Sequence, residues 1–261
     1  MQLDLTGRHA LVCGASEGIG RATAQELALL GANVTVLARR ADVLREVVDG
    51  LPRKADQHHD FIVADMADTD RLRDAVAGLV RANPVHLLVN NTGGPPGGAA
   101  IDADLDAFID AYRKHLLANQ TLVQAVVPGM RDAGYGRIVN IISTSVYEPI
   151  PNLGVSNTTR GAVASWAKTL SRELASDGIT VNNVLPGFTE TGRIAQIVEG
   201  QRNRTGKSEA EVREAMLAQV PARRFADPAE PAALIAFLCS PAGGYINGQS
   251  IAVDGGRMNS I

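Results

Sequence analysis

Seven short runs rich in aliphatic and β-branched residues recur along the chain: HALVCG, NVTVLA, DFIVAD, VHLLVN, GRIVNII, ITVNNVLP and SIAVDGG. Longer segments with helical spacing separate them, such as Thr23-Leu27-Leu30, Leu72-Val76-Leu79 and Leu170-Leu174. This alternation limits the fold more than any other feature. Strands that are apolar along their whole length are buried on both faces, so the sheet is mostly parallel and covered by helices on each side. The expectation is a Rossmann-type doubly wound α/β fold, with a seven-stranded sheet and about six intervening helices. With 261 residues, 45% of them apolar, and no Pro/Gly/Ser-rich linker or repeat, residues 1–261 are expected to form a single domain.

Charge and composition exclude several functions. A formal net charge of -3 leaves no broad basic surface for nucleic acid or an anionic membrane. Met1 to Leu5 lacks the basic and apolar regions of a signal peptide, and no apolar run is long enough to span a bilayer. The two cysteines, Cys13 and Cys239, lie in apolar segments and suit a reducing compartment, so a cytoplasmic protein is expected. The pair His58-His59 lacks partners at metal-ligand spacing, and no metal site is expected. The polar stretch EGQRNRTGKSEAE is either a lid over a site or a solvated helix.

Chemistry enters at CGASEGIG, residues 13–20, which follows the first strand and opens a helix. Its glycines let the backbone approach a pyrophosphate while helix N–H groups face it. A glycine turn by itself also serves a tight strand-to-helix connection, so the topology around it carries the reading. The second strand ends Ala38-Arg39-Arg40 where an acid would otherwise hold the ribose hydroxyls. Guanidinium matches a 2'-phosphate, so NADP(H) is favoured over NAD(H). Against this, Arg39 and Arg40 can be ordinary solvated charges, and Glu17 puts a negative charge nearby.

Three further elements lie at carboxyl ends of strands, where open α/β sheets bind ligands. Asp65 after the third strand either accepts from an adenine amine or caps the next helix, a task that Asp68 or Thr69 could equally perform. NNTGG, residues 90–94, follows the fourth strand; PGFTET, residues 186–191, ends the sixth with backbone amides and threonine hydroxyls suited to a carboxamide and a phosphate.

Together these motifs resemble the short-chain dehydrogenase/reductase family, classical branch, essentially from end to end. CGASEGIG looks like its cofactor loop with Cys13 in place of threonine, and NNTG like its NNAG element with Thr92 in place of alanine. ITVNNVLPGFTET looks like its nicotinamide-side loop and INGQSIAVDGG like its last strand. The resemblance implies a cofactor-binding set of Gly14, Ser16, Glu17, Gly18, Ile19, Gly20, Arg39, Arg40, Asp65, Met66, Asn90, Thr92, Gly93, Arg160, Pro186, Gly187, Thr189 and Thr191. It also implies a small carbonyl or alcohol substrate and a homodimer or homotetramer, or a hetero-oligomer with an active relative.

In the catalytic set the match breaks. GRIVNIIS ends at Ser143, which matches the family's catalytic serine. The family's tyrosine and lysine, four residues apart, align with Ser156 and Arg160 of SNTTRG, because RGAVASWAKTLSRELA reads like the helix that follows that lysine. The family's helical asparagine aligns with His115, or with Asn119 one turn later if the register shifts. A serine hydroxyl is shorter than a phenol and far less acidic, and an arginine does not relay protons. The proton is then sought at His115, an imidazole that ordinarily titrates near neutrality, at the Tyr147 phenol, or at a water held by Ser143 and Ser156. His115 can equally be a packed helix residue, and Tyr147 a pocket wall.

The reading is an NADP(H)-dependent oxidoreductase of a carbonyl/alcohol pair, resembling 3-oxoacyl reductases, with an altered active site. Its alternatives are a catalytically inactive, cofactor-binding partner or regulatory subunit, and a non-redox lyase or isomerase.

Overall fold

The structure is a computed structural model that describes every residue except Ala55 and Ile261. All seven strands form where the sequence places them: β1 (His9–Cys13), β2 (Asn33–Ala38), β3 (His59–Val63), β4 (Leu87–Asn90), β5 (Gly136–Ile141), β6 (Ile179–Pro186) and β7 (Ser250–Val253). They make one sheet of order β3-β2-β1-β4-β5-β6-β7 in which every pairing is parallel. The order reverses between β1 and β4. Their carboxyl ends therefore open the crevice in which doubly wound sheets hold ligands.

Successive strand residues feed opposite layers, since side chains alternate across the sheet. Val12, Val34, Val36, Val89 and Val139 pack with α1 (Gly18–Leu29), α2 (Ala41–Asp49) and α9 (Ala229–Cys239) through Leu27, Leu44 and Ile235. Leu11, Leu37, Leu88 and Ile138 face α3 (Thr69–Ala82), α5 (Ala118–Asp132) and α6 (Gly154–Glu173) through Leu72, Leu122 and Ala167. Both cysteines are buried free thiols, and burial pushes each up to about 12, so neither is reactive.

Three features were not readable from periodicity. The first is a π turn, Arg113–Leu117, which interrupts the helical run between α4 (Leu105–Tyr112) and α5. The second is a helical pair, α7 (Gly192–Thr205) and α8 (Glu209–Leu217), in the polar stretch after β6. A reciprocal Ser208–Glu211 capping box starts α8, and Ile194, Val198, Val212 and Met216 give the pair a small core apart from the main layers. The stretch is thus solvated helix with its own apolar seam. The third is a buried row of side chains across four strands: Asn90 donates to Asn140 (2.8 Å), Asn140 to Asn183 (2.9 Å) and Asn183 to Ser250 (3.0 Å). These residues are register partners on adjacent strands, so parallel pairing itself aligns them.

Candidate active site

The glycine turn is shaped by packing before any ligand is considered. Gly14 has a φ of +59°, and a Cβ there would lie 2.7 Å from the Asn91 carboxamide; on Gly20 it would collide with the Gly14 carbonyl. Gly18, with φ at +57°, lies against the Thr191 side chain, where a Cβ would come within 3.1 Å. Only glycine fits such positions at low cost. Glu17 occupies the N-cap of α1 and Thr191 that of α7, and neither side chain caps its helix. Two helix N-termini without side-chain caps therefore meet at Gly18 and Thr191, an arrangement that suits an anion. Ser16 and Ile19 are half-buried in the same turn.

At the end of β2, Arg39 and Arg40 are both exposed, and Arg40 reaches the Glu17 carboxylate at 3.4 Å. This is a solvated contact worth little. The alternatives for Asp65 separate cleanly. Asp68 caps α3 by accepting from the Arg71 N–H at 3.1 Å, whereas Asp65 accepts from the Ala67 N–H at 2.9 Å and stays exposed at the crevice. Met66 points into the core with Leu72 and Val76, so only its backbone faces the crevice side.

The β4 end requires a correction. Asn90 is buried and its Nδ2 is spent on the inter-strand row, which leaves only its Oδ1 without a partner. The neighbouring Asn91, missed from sequence, is the one that ties the two loops together, donating to the Gly14 carbonyl at 3.1 Å. The doubled asparagine of NNTGG was the available signal. Thr92 is half-buried and Gly93 exposed on the loop beyond. At β6, Pro186 pairs with Val253, and a Cβ on Gly187 would lie 2.7 Å from the Asp254 backbone. Thr189 and Thr191 turn their hydroxyls back onto the Gly187 and Thr189 carbonyls, at 3.3 and 3.2 Å.

Ser143 follows β5, and its Oγ accepts from the Ser145 N–H at 3.1 Å. One lone pair of the hydroxyl is thereby occupied, and its proton remains to donate. Ser156 and Arg160 lie one turn apart on α6, both buried. Arg160 donates to the Ile141 carbonyl at 2.8 Å, two residues before Ser143, which anchors its guanidinium at the end of β5. Burial, followed by the nearby Arg193, pushes Arg160 down to about 10; it stays charged at neutral pH.

His115 sits in the π turn, only 2% exposed, with its Nε2 unpartnered. A π turn adds a residue to the helix, so it re-aims side chains that a count of 3.6 per turn would misplace. Burial is the main cause, and Arg160 the second, that pushes its imidazole down to about 2. The expectation of titration near neutrality is therefore corrected: His115 is neutral and cannot store the proton as an imidazolium. Asn119, the alternative, is also buried, in the first turn of α5. Tyr147 is corrected too. It is 53% exposed and its hydroxyl donates to the Ser250 carbonyl at 3.4 Å, at the level of Asn183, three residues below the end of β6. Its phenol does not join Ser143 and Ser156.

One more residue joins the cluster that sequence reasoning did not single out. Arg193, in the first turn of α7, spans the crevice to donate to the Pro95 carbonyl at 2.9 Å. Of the histidine pair, His59 is engaged structurally: its Nδ1 accepts from the Val34 N–H and its Nε2 meets the Pro52 carbonyl, at 3.2 and 3.1 Å. Among the described residues no helix is long and apolar enough to cross a membrane.

Sheet order, glycine turn and two converging helix N-termini define a Rossmann-type dinucleotide-binding architecture. Residues 14–258 match the family model described as enoyl-(acyl carrier protein) reductase. The chain is 34% identical over 253 residues to a putative ketoacyl reductase of Streptomyces coelicolor, covering 96% of this chain and 97% of that protein. To the 3-oxoacyl-[acyl-carrier-protein] reductase FabG of Vibrio cholerae it is 33% identical, covering 97% of this chain and 98% of that one. The crystal structure of L-sorbose reductase from Gluconobacter frateurii, complexed with NADPH and L-sorbose, superposes with a TM-score of 0.92 at 29% identity, covering 100% of both chains. The protein belongs to the classical short-chain dehydrogenase/reductase family.

Proposed function

We propose that the protein is an NADP(H)-dependent reductase of a small carbonyl compound, built as one domain, in which Ser156 and Arg160 stand where the family places its tyrosine and lysine. The observation that carries this reading is the buried Arg160 guanidinium anchored at the end of β5, on the Ile141 carbonyl two residues before Ser143. The relatives support it, being ketoacyl and 3-oxoacyl reductases, and one similar structure holds NADPH with a ketose.

The residues present fit the cofactor. The helix N-termini at Gly18 and Thr191 would face its diphosphate, and Arg39 with Arg40 would flank a 2'-phosphate. Asp65, Thr92, Gly93, Pro186, Gly187 and Thr189 line the crevice between them, while Met66 and Asn90 act by holding the walls. When bound, the cofactor supplies a hydride to the carbonyl carbon.

The chain does the rest. Ser143 donates to the carbonyl oxygen, and the Arg160 charge stabilises the negative charge that grows there. A buried guanidinium in a dry site acts more strongly than in water. With His115 neutral and Tyr147 turned away, the proton that completes the alcohol comes from water admitted beside Ser156, and a hydroxide is returned to solvent. His115 is a positioning residue against the Gly93 backbone, and its lowered basicity disfavours it as the base of a lyase or isomerase. The apolar face left exposed on α4 and the π turn supports self-association.

NADPH consumption across ketones, aldehydes and 3-oxoacyl thioesters tests the proposal. Turnover is expected, falling by about 10²- to 10³-fold in Ser143→Ala, the loss typical of one oxyanion donor. Tight NADPH binding without turnover, restored by Ser156→Tyr with Arg160→Lys, would overturn it in favour of a cofactor-binding subunit.

A further inference from the structure

Two guanidiniums and one imidazole meet behind the β4 and β5 ends with no acid among them. Arg160 is anchored to Ile141, and Arg193 to Pro95, each through a neutral carbonyl. Arg193 also meets Gln196 at 3.4 Å and lies 3.4 Å from where a Gly94 Cβ would be, while His115 rests against the adjacent Gly93 backbone. Among the described ion pairs neither arginine has a carboxylate partner within 4.0 Å. His115, influenced by both arginines, is buried with its Nε2 unpartnered.

A buried cation without a counter-charge is costly, and burial lowers the pKa of both guanidiniums, the enclosed Arg160 and the half-buried Arg193. An oxyanion would supply the missing counter-charge. The glycine turn is not where Arg193 looks: the neighbour of Gly192 on that side is the Glu17 carboxylate, and Gly18 meets Thr191. Arg193 is drawn the other way, over the Gly93–Pro95 loop towards His115 and Arg160.

Resting on the reductase reading above, we infer that the substrate is a small oxo acid whose carboxylate is held by Arg193 and Arg160 while its carbonyl oxygen meets Ser143. The pocket thus selects by charge. The same pair of guanidiniums would also accept a phosphate, so the alternative source of the anion is the diphosphate of the nucleotide.

Matched pairs separate these cases. With NADPH, 2-oxo and 3-oxo acids are compared with their neutral methyl esters. We expect kcat/KM to favour the acid by about 10- to 100-fold, the range of a charge-assisted contact. Arg193→Gln should shrink that ratio to within a few fold, and Arg193→Lys should recover part of it; thermal melting confirms that the variants are folded. Esters reduced as well as acids, or a ratio indifferent to Arg193→Gln, would overturn the inference. In a second arm, calorimetry measures binding of oxalate and of neutral oxamide to protein saturated with NADP+. Oxalate binding that persists with NADP+ and is lost in Arg193→Gln supports a substrate carboxylate. Oxalate binding that NADP+ abolishes assigns the anion site to the nucleotide and overturns the inference. A protein that reduces no carbonyl compound yet binds oxalate through Arg193 keeps the anion site and discards the reductase reading.

Discussion

Single residues in this fold are set by their surroundings more than by their type. His9 shows it far from the crevice. Its Nε2 meets the Thr35 hydroxyl at 2.8 Å, its backbone N–H donates to His86 Nδ1 at 3.1 Å, and burial, then the neighbouring His86, pushes its imidazole down to about 4. An unfolded histidine titrates near 6.5, so between these values the unfolded chain binds the extra proton and stability falls as pH drops. The contribution is complete above about pH 6.5 and is lost as pH nears 4; it amounts to about 3 kcal/mol by the usual 1.4 kcal/mol for each pKa unit. His59 and His86 are shifted in the same direction. Urea unfolding followed from pH 7 to 4 should show this decline, and His9→Gln should flatten it; an unchanged slope would remove His9 as its source. The same physics explains what the sequence could not disclose about His115. Its identity and its place near the serine were legible, but its protonation depends on Arg160 and on burial, which no motif records.

At the scale of elements, the inner strands were legible because a two-faced burial leaves an apolar run with sharp ends, while the edge strands β3 and β7, only partly buried, were legible from their β-branched and aliphatic residues. Helices were legible as segments but not in their irregularities. The π turn at Arg113–Leu117 breaks the count on which the register of His115 and Asn119 depended, and it leaves no compositional trace. Likewise Arg193 reads as one more arginine until the loop after β6 folds across to Pro95. The helical run around the π turn also carries an unpartnered apolar face: Leu105, Ile109 and Leu117 are exposed, and they adjoin Phe108 and Tyr112 in a shallow groove. Exposed apolar area of this kind marks an interface. Light scattering on the eluting protein should give a dimer or tetramer for the wild type, and Ile109→Glu with Leu117→Glu should shift it to the monomer. A monomeric wild type would dispose of the face as a self-association surface.

The molecule as a whole is one sheet with two unequal halves. Strands β1, β2 and β3 carry the glycine turn and the Arg39-Arg40 end, while β4 to β7 carry Ser143, Pro186 and the seat of Arg160. The row of Asn90, Asn140, Asn183 and Ser250 crosses only the second half. It stops at Asn90, whose Oδ1 is buried without a partner, one residue beyond the last β1–β4 register pair, Val12 with Val89. Cooperative opening follows such connected units. Hydrogen exchange should therefore show two classes, with the carboxamide protons of Asn140 and Asn183 among the slowest of the chain and the amides of β2 and β3 opening independently of them. A single exchange class across all seven strands would refute the division. With two classes, the seam between β1 and β4 would bound a cooperative unit as well as a crevice: the line along which a nucleotide would enter would also be the line at which partial unfolding stops.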